Sequence, residues 1–204
     1  MRERLPPRLV LATGNAGKIR ELAALLEPHG VEVLPQSHYT ATGADETGDT
    51  FVENAILKAR HAAAASGLPA IADDSGLEVD ALGGAPGVRS ARYAGEGASD
   101  QANNARLLAE LEGVPAARRT ARYRCAIVYV RSADDPAPLI REASWEGAIE
   151  TGPRGHGGFG YDPLFRVAGD VRTAAEYPAA EKNRVSHRGQ ALAALVGALA
   201  GPGR

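Results

Sequence analysis

Cysteine and long hydrophobic runs are scarce in this sequence of 204 residues. Cys125 is its only cysteine, which excludes an intrachain disulfide framework and a multi-cysteine zinc site. Because it lies in the apolar run Cys125–Val130, we interpret it as part of a buried strand rather than as a catalytic thiol. No run reaches the ~18–20 apolar residues that a membrane span needs, and the opening MRERLPPRLVLATG lacks the apolar stretch of a signal peptide. We therefore expect a cytoplasmic protein without a membrane partner.

The sequence also lacks an excess of either charge. It contains 23 Lys and Arg against 25 Asp and Glu, a formal net charge of -2. Proteins that bind long nucleic acids through their phosphates usually carry a basic excess, so we expect no polynucleotide partner, although a small phosphorylated ligand is still compatible. The hydrophobic fraction of 44% is typical of a globular protein. We predict a single domain over residues 1–200 and a flexible tail over 201–204.

Hydrophobic spacing along the chain predicts an α/β fold. Strand, loop and helix follow one another from Leu9 to Leu26, and Thr50 with Glu53 forms a capping-box pattern that opens a second helix. Two strand-like runs, Tyr123 to Val130 and Leu139 to Ile149, are joined by a turn cluster, which favours a hairpin. A hairpin interrupts a simple βαβ series. We therefore predict a mixed β-sheet flanked by helices, rather than a purely parallel sheet.

The first candidate motif is Thr13-Gly14-Asn15-Ala16-Gly17-Lys18, between a predicted strand and a predicted helix. Exposed N–H groups and the positive end of a helix favour phosphate at such a place. The motif is not a P-loop, because only two residues separate its glycines and Ile19 follows the lysine. From the residues alone, an ordinary βα turn and a phosphate cradle are equally compatible.

The second motif, Asp73-Asp74-Ser75-Gly76, directly follows the short apolar run Ala70–Ala72. Adjacent carboxylates there repel each other and lose hydration, so they need a cation or a network of donors. Mg²⁺, which prefers oxygen ligands, would supply the charge. The alternative is an acidic turn in solvent. Glu46 and Asp49 are candidates for a further metal ligand.

The third motif is the loop Gly155–Pro163, which contains four glycines among its first six residues and two aromatic side chains. Such a loop can bring its backbone close to a planar ligand while a ring stacks on that ligand. A mobile surface loop is the alternative.

The fourth motif, Glu181-Lys182-Asn183-x-x-Ser186-His187-Arg188, places donors and charges around the start of the last predicted helix. A solvated, capped helix start is the alternative interpretation. A hydrolase built on Ser186 and His187 is disfavoured, because neighbouring residues on one helix point about 100° apart.

These segments resemble, in order and in spelling, the inosine triphosphate pyrophosphatase family of purine-selective nucleoside triphosphate pyrophosphatases. The resemblance runs from about Val10 to Leu199. It is carried by TGNxxK, by FxENAxxKA at Phe51–Ala59, by DDSGL, by GGxPGxxSARY at Gly83–Tyr93, by GGFGYDP and by KxxxSHR.

The resemblance implies an elongated mixed α/β fold with an active-site cleft between two lobes, and a homodimer. It also implies Mg²⁺-dependent hydrolysis of non-standard purine nucleoside triphosphates (dITP, ITP, XTP and dXTP) between the α and β phosphates. The products would be the monophosphate and pyrophosphate, which cleanses the nucleotide pool. A binding module without turnover would have no use for Asp73-Asp74, and a pyrimidine-directed relative would not be expected to carry GGFGYDP with SHR.

Residue by residue, the resemblance implies a catalytic Asp74 that orients or deprotonates the attacking water. Glu46 and Asp74 are the implied ligands of Mg²⁺. The implied substrate-binding residues are Thr13, Gly14, Asn15, Ala16, Gly17, Lys18, Lys58, Ser75, Phe159, Gly160, Tyr161, Asp162, Lys182, His187 and Arg188. Among them, Tyr161 or Phe159 would stack on the base, and we assign Arg188 to the oxygen at purine C6.

Overall fold

The computed structural model describes residues 5–200, which form a six-stranded sheet in the order β2-β1-β3-β4-β5-β6. The strands are β1 (Arg8–Leu11), β2 (Glu32–Pro35), β3 (Ala70–Val79), β4 (Thr120–Val130), β5 (Leu139–Ile149) and β6 (Phe165–Val167). The helices are α1 (Ala16–Leu26), α2 (Phe51–Ser66), α3 (Asp100–Glu110), α4 (Ala179–Val185) and α5 (His187–Ala200). β1 pairs in parallel with β2 and β3, whereas β6 runs antiparallel to β5. The predicted mixed sheet flanked by helices is confirmed.

The described chain separates into two compact units. The first comprises the residues up to Asp74, Cys125–Ala143 and the residues from Arg188; the second comprises Ser75–Arg124 and Ser144–His187. The single domain over residues 1–200 stays a prediction, and the predicted tail at 201–204 lies outside the described residues. Within residues 5–200, no helix has both the length and the apolar character to cross a membrane.

In the first unit, alternation along the strands builds two separate cores. Successive side chains of a strand point to opposite faces of the sheet. One face of β1, β3 and β4 packs with buried residues of α1 and α5, and contributes Leu9, Leu11, Ile71, Cys125, Ile127 and Tyr129. The other face packs with the alanines of α2, and contributes Val10, Ala12, Ala70, Ala72, Ala126, Val128 and Val130. This unit is therefore a layer of strands between two layers of helices.

Local sequence signals account for the starts of α1 and α2 and for the end of α2. Asn15 caps α1, and its side chain accepts from the N–H of Lys18. Thr50 and Glu53 form the predicted capping box at the start of α2. Gly67 ends α2 in the left-handed region, with φ of 68°, which glycine adopts without a steric cost.

The second unit is built around an aromatic core. The Phe165 ring contacts those of Tyr123 and Trp145, with centroids 4.6 Å and 5.6 Å away. Leu107 of α3 is fully buried in the same cluster. Because α3 packs by this face, its other side chains are held at a fixed position beside the loop Gly155–Pro163.

One predicted boundary is wrong. β3 does not end before the acidic pair but continues to Val79, because Leu77 and Val79 are themselves buried and extend the strand pattern. The last helix, α5, begins at His187 inside the fourth motif, as predicted, and Lys182 lies just before it in the separate short helix α4. Ser186 interrupts the helices with an extended backbone, at φ of -71° and ψ of 160°.

Candidate active site

The two consecutive carboxylates of the sequence motif lie inside β3. Asp73 is 0% exposed and Asp74 is 6% exposed, so the alternative of an acidic turn in solvent is wrong. Because neighbouring residues of a strand face opposite sides, Asp73 shares the face of Ile71 and Asp74 shares the face of Ala72. Each carboxylate therefore has its own set of partners, and the expected crowding of the pair is avoided.

Asp73 is surrounded by donors on both of its oxygens. Its Oδ1 forms an ion pair with Nζ of Lys18, and its Oδ2 accepts from Cys125 Sγ at 2.9 Å and from Arg188 Nε at 3.3 Å. Burial by itself would raise the pKa of Asp73, but Arg188 and Lys18 bring it far below its usual value. Burial also raises the pKa of the Cys125 thiol well above normal, so Cys125 acts as a neutral donor. With both oxygens engaged, Asp73 anchors the cationic side chains of Lys18 and Arg188.

Arg188 ties three elements of the first unit together. It is 2% exposed, and its guanidinium contacts Asp73 of β3 and Glu21 of α1. Burial would lower the pKa of Arg188, but Asp73 and Glu21 keep it above its usual value, so the side chain stays charged. The partners seen here are carboxylates of the protein; the predicted contact of Arg188 with a purine stays a prediction.

Asp74 is paired with Lys58 on the opposite face of the strand. Lys58 Nζ donates to Asp74 Oδ1 at 2.6 Å and lies 3.4 Å from Glu46 Oε1. The second oxygen, Asp74 Oδ2, is buried and has no hydrogen-bond partner. Burial outweighs the attraction of Lys58 and raises the pKa of Asp74. Desolvation would lower the pKa of Lys58, but Asp74 and Glu46 raise it, so Lys58 is an ammonium.

The contacts of Glu46 and Asp74 are compatible with a divalent cation. Glu46 and Asp74 approach the same ammonium, so their carboxylates converge on one positive charge, and Asp74 Oδ2 remains an unsatisfied oxygen. Among residues 5–200, no group of three or more His, Cys, Asp or Glu side chains is arranged to hold a metal. Two carboxylates fit an ion such as Mg²⁺, which usually keeps several waters and binds substrate phosphates as further ligands.

The first motif forms a compact turn between β1 and α1. The Asn15 N–H donates to Thr13 Oγ1 at 3.1 Å, and the Asn15 side chain caps the helix. A Cβ added at Gly14 would meet no atom within 4 Å, so the backbone there is open to a ligand. The structure therefore brings Thr13–Lys18 to the N-terminus of a helix of 11 residues, where the dipole attracts anions.

In the second unit, Asp162 organises the glycine-rich loop. Its Oδ2 accepts from Lys182 Nζ at 2.7 Å and from the Phe159 N–H at 2.9 Å, and its Oδ1 accepts from the Tyr123 hydroxyl at 3.1 Å. Gly158 allows this close approach: it has φ of 71°, and a Cβ there would lie 1.9 Å from Asp162 Oδ2. The loop is thus fixed around a buried carboxylate.

Two aromatic side chains of the loop have different environments. Tyr161 is 4% exposed, and its hydroxyl donates to the Ser90 carbonyl at 2.8 Å. Burial raises the pKa of Tyr161. Phe159 is half-buried, with Lys182 Nζ 5.0 Å from its ring centroid. Of the two rings predicted as a stacking surface, Phe159 is therefore the accessible one.

The structure places the predicted site residues in two groups. The first unit holds Thr13, Gly14, Asn15, Ala16, Gly17, Lys18, Glu46, Lys58, Asp74 and Arg188. The second unit holds Ser75, Phe159, Gly160, Tyr161, Asp162, Lys182 and His187. His187 is buried, and its ring stacks on Tyr123 at 4.7 Å between centroids.

Sequence reasoning missed several members of these networks. Glu21 lies three residues after Lys18 on α1, so the two share a helix face, and that spacing is a signal that could have been found. No sequence signal identified Cys125 or Tyr123 as a donor, because the carboxylate that each one binds lies at least 39 residues away in the sequence.

Comparisons with known proteins agree on one family. The sequence profile of the Ham1 family matches residues 9–198. A dITP/XTP pyrophosphatase of Thioalkalivibrio sulfidiphilus is 60% identical over 95% of this chain and 99% of that protein, and one of Escherichia coli K12 is 56% identical over 94% and 98%. A solved HAM1 protein from Coxiella burnetii superposes with a TM-score of 0.86 at 49% identity, covering 94% of this chain and 98% of that one.

Proposed function

The chain belongs to the Ham1 family, and we propose on this premise that it hydrolyses non-standard purine nucleoside triphosphates to the monophosphate and pyrophosphate. The substrates are dITP, ITP, XTP and dXTP. The observation that carries the chemistry is the set of Asp74, Lys58 and Glu46, in which a buried carboxylate oxygen is left without a partner beside two charged groups. We further propose that the protein acts in the cytoplasm as a homodimer.

Glu46 and Asp74 are the residues that would hold Mg²⁺. When bound, the ion supplies positive charge to the triphosphate oxygens and lowers the cost of the charge that develops in the transition state. Lys58 already lies against both carboxylates. It would therefore contact the same phosphates without a large movement of its side chain.

The remaining groups of the first unit bind and orient the triphosphate. The N–H groups of Thr13–Lys18, at the N-terminus of α1, donate to phosphate oxygens, and Lys18 and Lys58 add positive charge. Asp74 Oδ2 accepts from the attacking water and takes its proton, and the water adds to the α-phosphorus in line with the departing pyrophosphate. Phosphoryl transfer depends mainly on such placement and on charge stabilisation, so no covalent nucleophile is needed.

We assign purine recognition to residues of the glycine-rich loop and their partners. Phe159 offers its ring to the base, and a base stacked on an aromatic side chain is typically worth ~1–3 kcal/mol. Asp162 binds the Phe159 N–H, Lys182 lies over the Phe159 ring, and His187 stacks on Tyr123. We assign these polar groups, Ser75 and Gly160 to further contacts with the nucleotide.

Product analysis tests this function. The purified protein with Mg²⁺ should release pyrophosphate and monophosphate from ITP, dITP and XTP, and should act far more slowly on ATP and GTP; chelation by EDTA should stop the reaction. Orthophosphate together with the nucleoside diphosphate as products would overturn cleavage between the α and β phosphates. Tight binding of ITP without turnover would instead favour a nucleotide-binding module.

A further inference from the structure

Two side chains of α3 hold the backbone of one residue, Gly160, in the glycine-rich loop. The N–H of Gly160 donates to Asp100 Oδ2 at 2.7 Å, and the C=O of Gly160 accepts from Asn104 Nδ2 at 3.0 Å. Asp100 and Asn104 are four residues apart, so they project from the same face of the helix. Both polar groups of Gly160 are thus bound by side chains from one element.

The helix that supplies these side chains is itself firmly held. Ser99 caps α3 by accepting from the N–H of Ala102. The buried side chain of Asn103 accepts from the N–H of Ala94 and donates to the carbonyl of Ala91. Leu107, one turn further, is fully buried in the aromatic core. A rigid helix therefore sets the position of a loop that contains no regular secondary structure.

Phe159 lies between two fixed points of the loop. Its own N–H is bound to Asp162, and the next residue, Gly160, is bound to α3. Beside these residues is an open cavity of about 410 Å³, lined in part by Asp100, Asn104 and Phe159. The loop consequently has room to move on this side once the bonds from α3 are removed.

We propose that Asp100 and Asn104 are positioning residues for purine recognition, which fix the backbone of Gly160 and through it the Phe159 ring. The inference rests on the proposed function, because it assigns the ring to the base. Neither residue is among those assigned above to the triphosphate, the metal or the attacking water. Their effect should therefore fall on nucleotide affinity and not on the chemical step.

The first measurement uses the free protein and does not depend on activity. Hydrogen–deuterium exchange of a peptide that covers residues 157–162 should be faster in Asp100→Ala and in Asn104→Ala than in the wild type. Gln101→Ala is the matched control, since Gln101 is an exposed residue on the same turn of α3. It should leave exchange unchanged.

The second measurement separates KM from kcat for ITP. We expect each Ala variant to raise KM ~10-fold, as loss of a hydrogen bond to a charged or fixed partner typically does, with kcat and the half-saturating Mg²⁺ concentration nearly unchanged. Asp100→Asn keeps an oxygen acceptor for the Gly160 N–H and should restore most of the affinity. If the two residues had only a structural role, the Ala variants would show a lower kcat and a lower thermal midpoint as well as a changed KM, and Asp100→Asn would not restore them.

The outcomes are distinguishable. Unchanged exchange in both Ala variants, or faster exchange with an unchanged KM for ITP, would overturn the positioning role. A wild-type protein that releases no pyrophosphate from ITP would overturn the proposed function instead, and the exchange data would then still report whether α3 holds the loop.

Discussion

Asp73 and Asp74 are consecutive residues of β3, yet Asp73 pairs with Lys18 of α1 and Asp74 pairs with Lys58 of α2. The pleat of the strand places the two carboxylates on opposite faces of the sheet. One of them has both oxygens engaged by donors, and the other keeps an unpartnered oxygen. Two identical side chains at neighbouring positions thus have different surroundings: Asp73 anchors cationic side chains, and Asp74 is the reactive carboxylate of the proposed function.

Asp74→Asn should lower kcat for ITP by at least ~10²-fold, because the amide neither takes a proton nor ligates a cation as a carboxylate does. The half-saturating concentration of Mg²⁺ should rise as well. Asp134→Asn is the matched control, since Asp134 is an exposed carboxylate that is not among the predicted site residues. Wild-type turnover in Asp74→Asn would mean that the acidic pair is purely structural.

Asp73→Asn should reduce the free energy of unfolding at neutral pH by about 3 kcal/mol, because it removes the carboxylate partner of Lys18 and leaves the buried Arg188 with Glu21 alone. Urea unfolding provides the measurement. Asp134→Asn, at an exposed position, should change it little. We expect the Mg²⁺ dependence of any remaining activity to stay as in the wild type, since both Asp73 oxygens are engaged by donors of the protein; a shift would argue against the division of roles.

The same variant should alter the dependence of stability on pH. The pKa of Asp73 is lower in the folded protein than in the unfolded chain, so the unfolded state binds the proton more tightly. The stability that Asp73 contributes is fully present above the unfolded pKa of about 3.9, and is lost progressively as the pH falls below it toward the folded pKa. Urea midpoints measured from pH 7 down to pH 3 should therefore fall less steeply below pH ~4 in Asp73→Asn. Parallel curves for the two proteins would show that Asp73 is not ionised in the folded state.

Arg188→Ala should lower kcat/KM for ITP and for ATP by the same factor, on the order of 10²-fold, since its partners Asp73 and Glu21 support the site and do not distinguish bases. The ratio of the two kcat/KM values, compared between wild type and variant, is the measurement. If kcat/KM falls for ITP alone, so that the ratio of ITP to ATP decreases, Arg188 contacts the purine, as assigned in the sequence analysis.

Gly158→Ala should raise KM for ITP by ~10- to 10²-fold, because the new methyl group would overlap Asp162 Oδ2 and the backbone has a positive φ. Displacement of Asp162 would release both the Phe159 N–H and Lys182. The control is Gly152→Ala, where a Cβ meets no atom within 4 Å. Equal kinetics in the two variants would show that the loop tolerates movement of Asp162.

Much of the local structure could be predicted from the sequence. The cap at Asn15, the capping box of Thr50 and Glu53, and the loop at Gly155–Pro163 all depend on residues close together in the chain, and the structure contains each of them. The family could be recognised for a related reason, since its motifs are short strings in a fixed order. The extent of β3 was misjudged because two carboxylates seldom lie in a buried strand unless cations from elsewhere meet them.

The sequence by itself determined which residue types lie at the ends of strands and helices, since those depend on contacts a few residues apart. Only the tertiary structure decided what each side chain does: Arg188 meets Asp73 across 115 positions, and Cys125 meets it across 52. Tyr161 and Phe159, two residues apart, divide into a buried ring and an accessible one for the same reason. Burial and charge pairing are set by which distant segments pack together, and that depends on the whole chain.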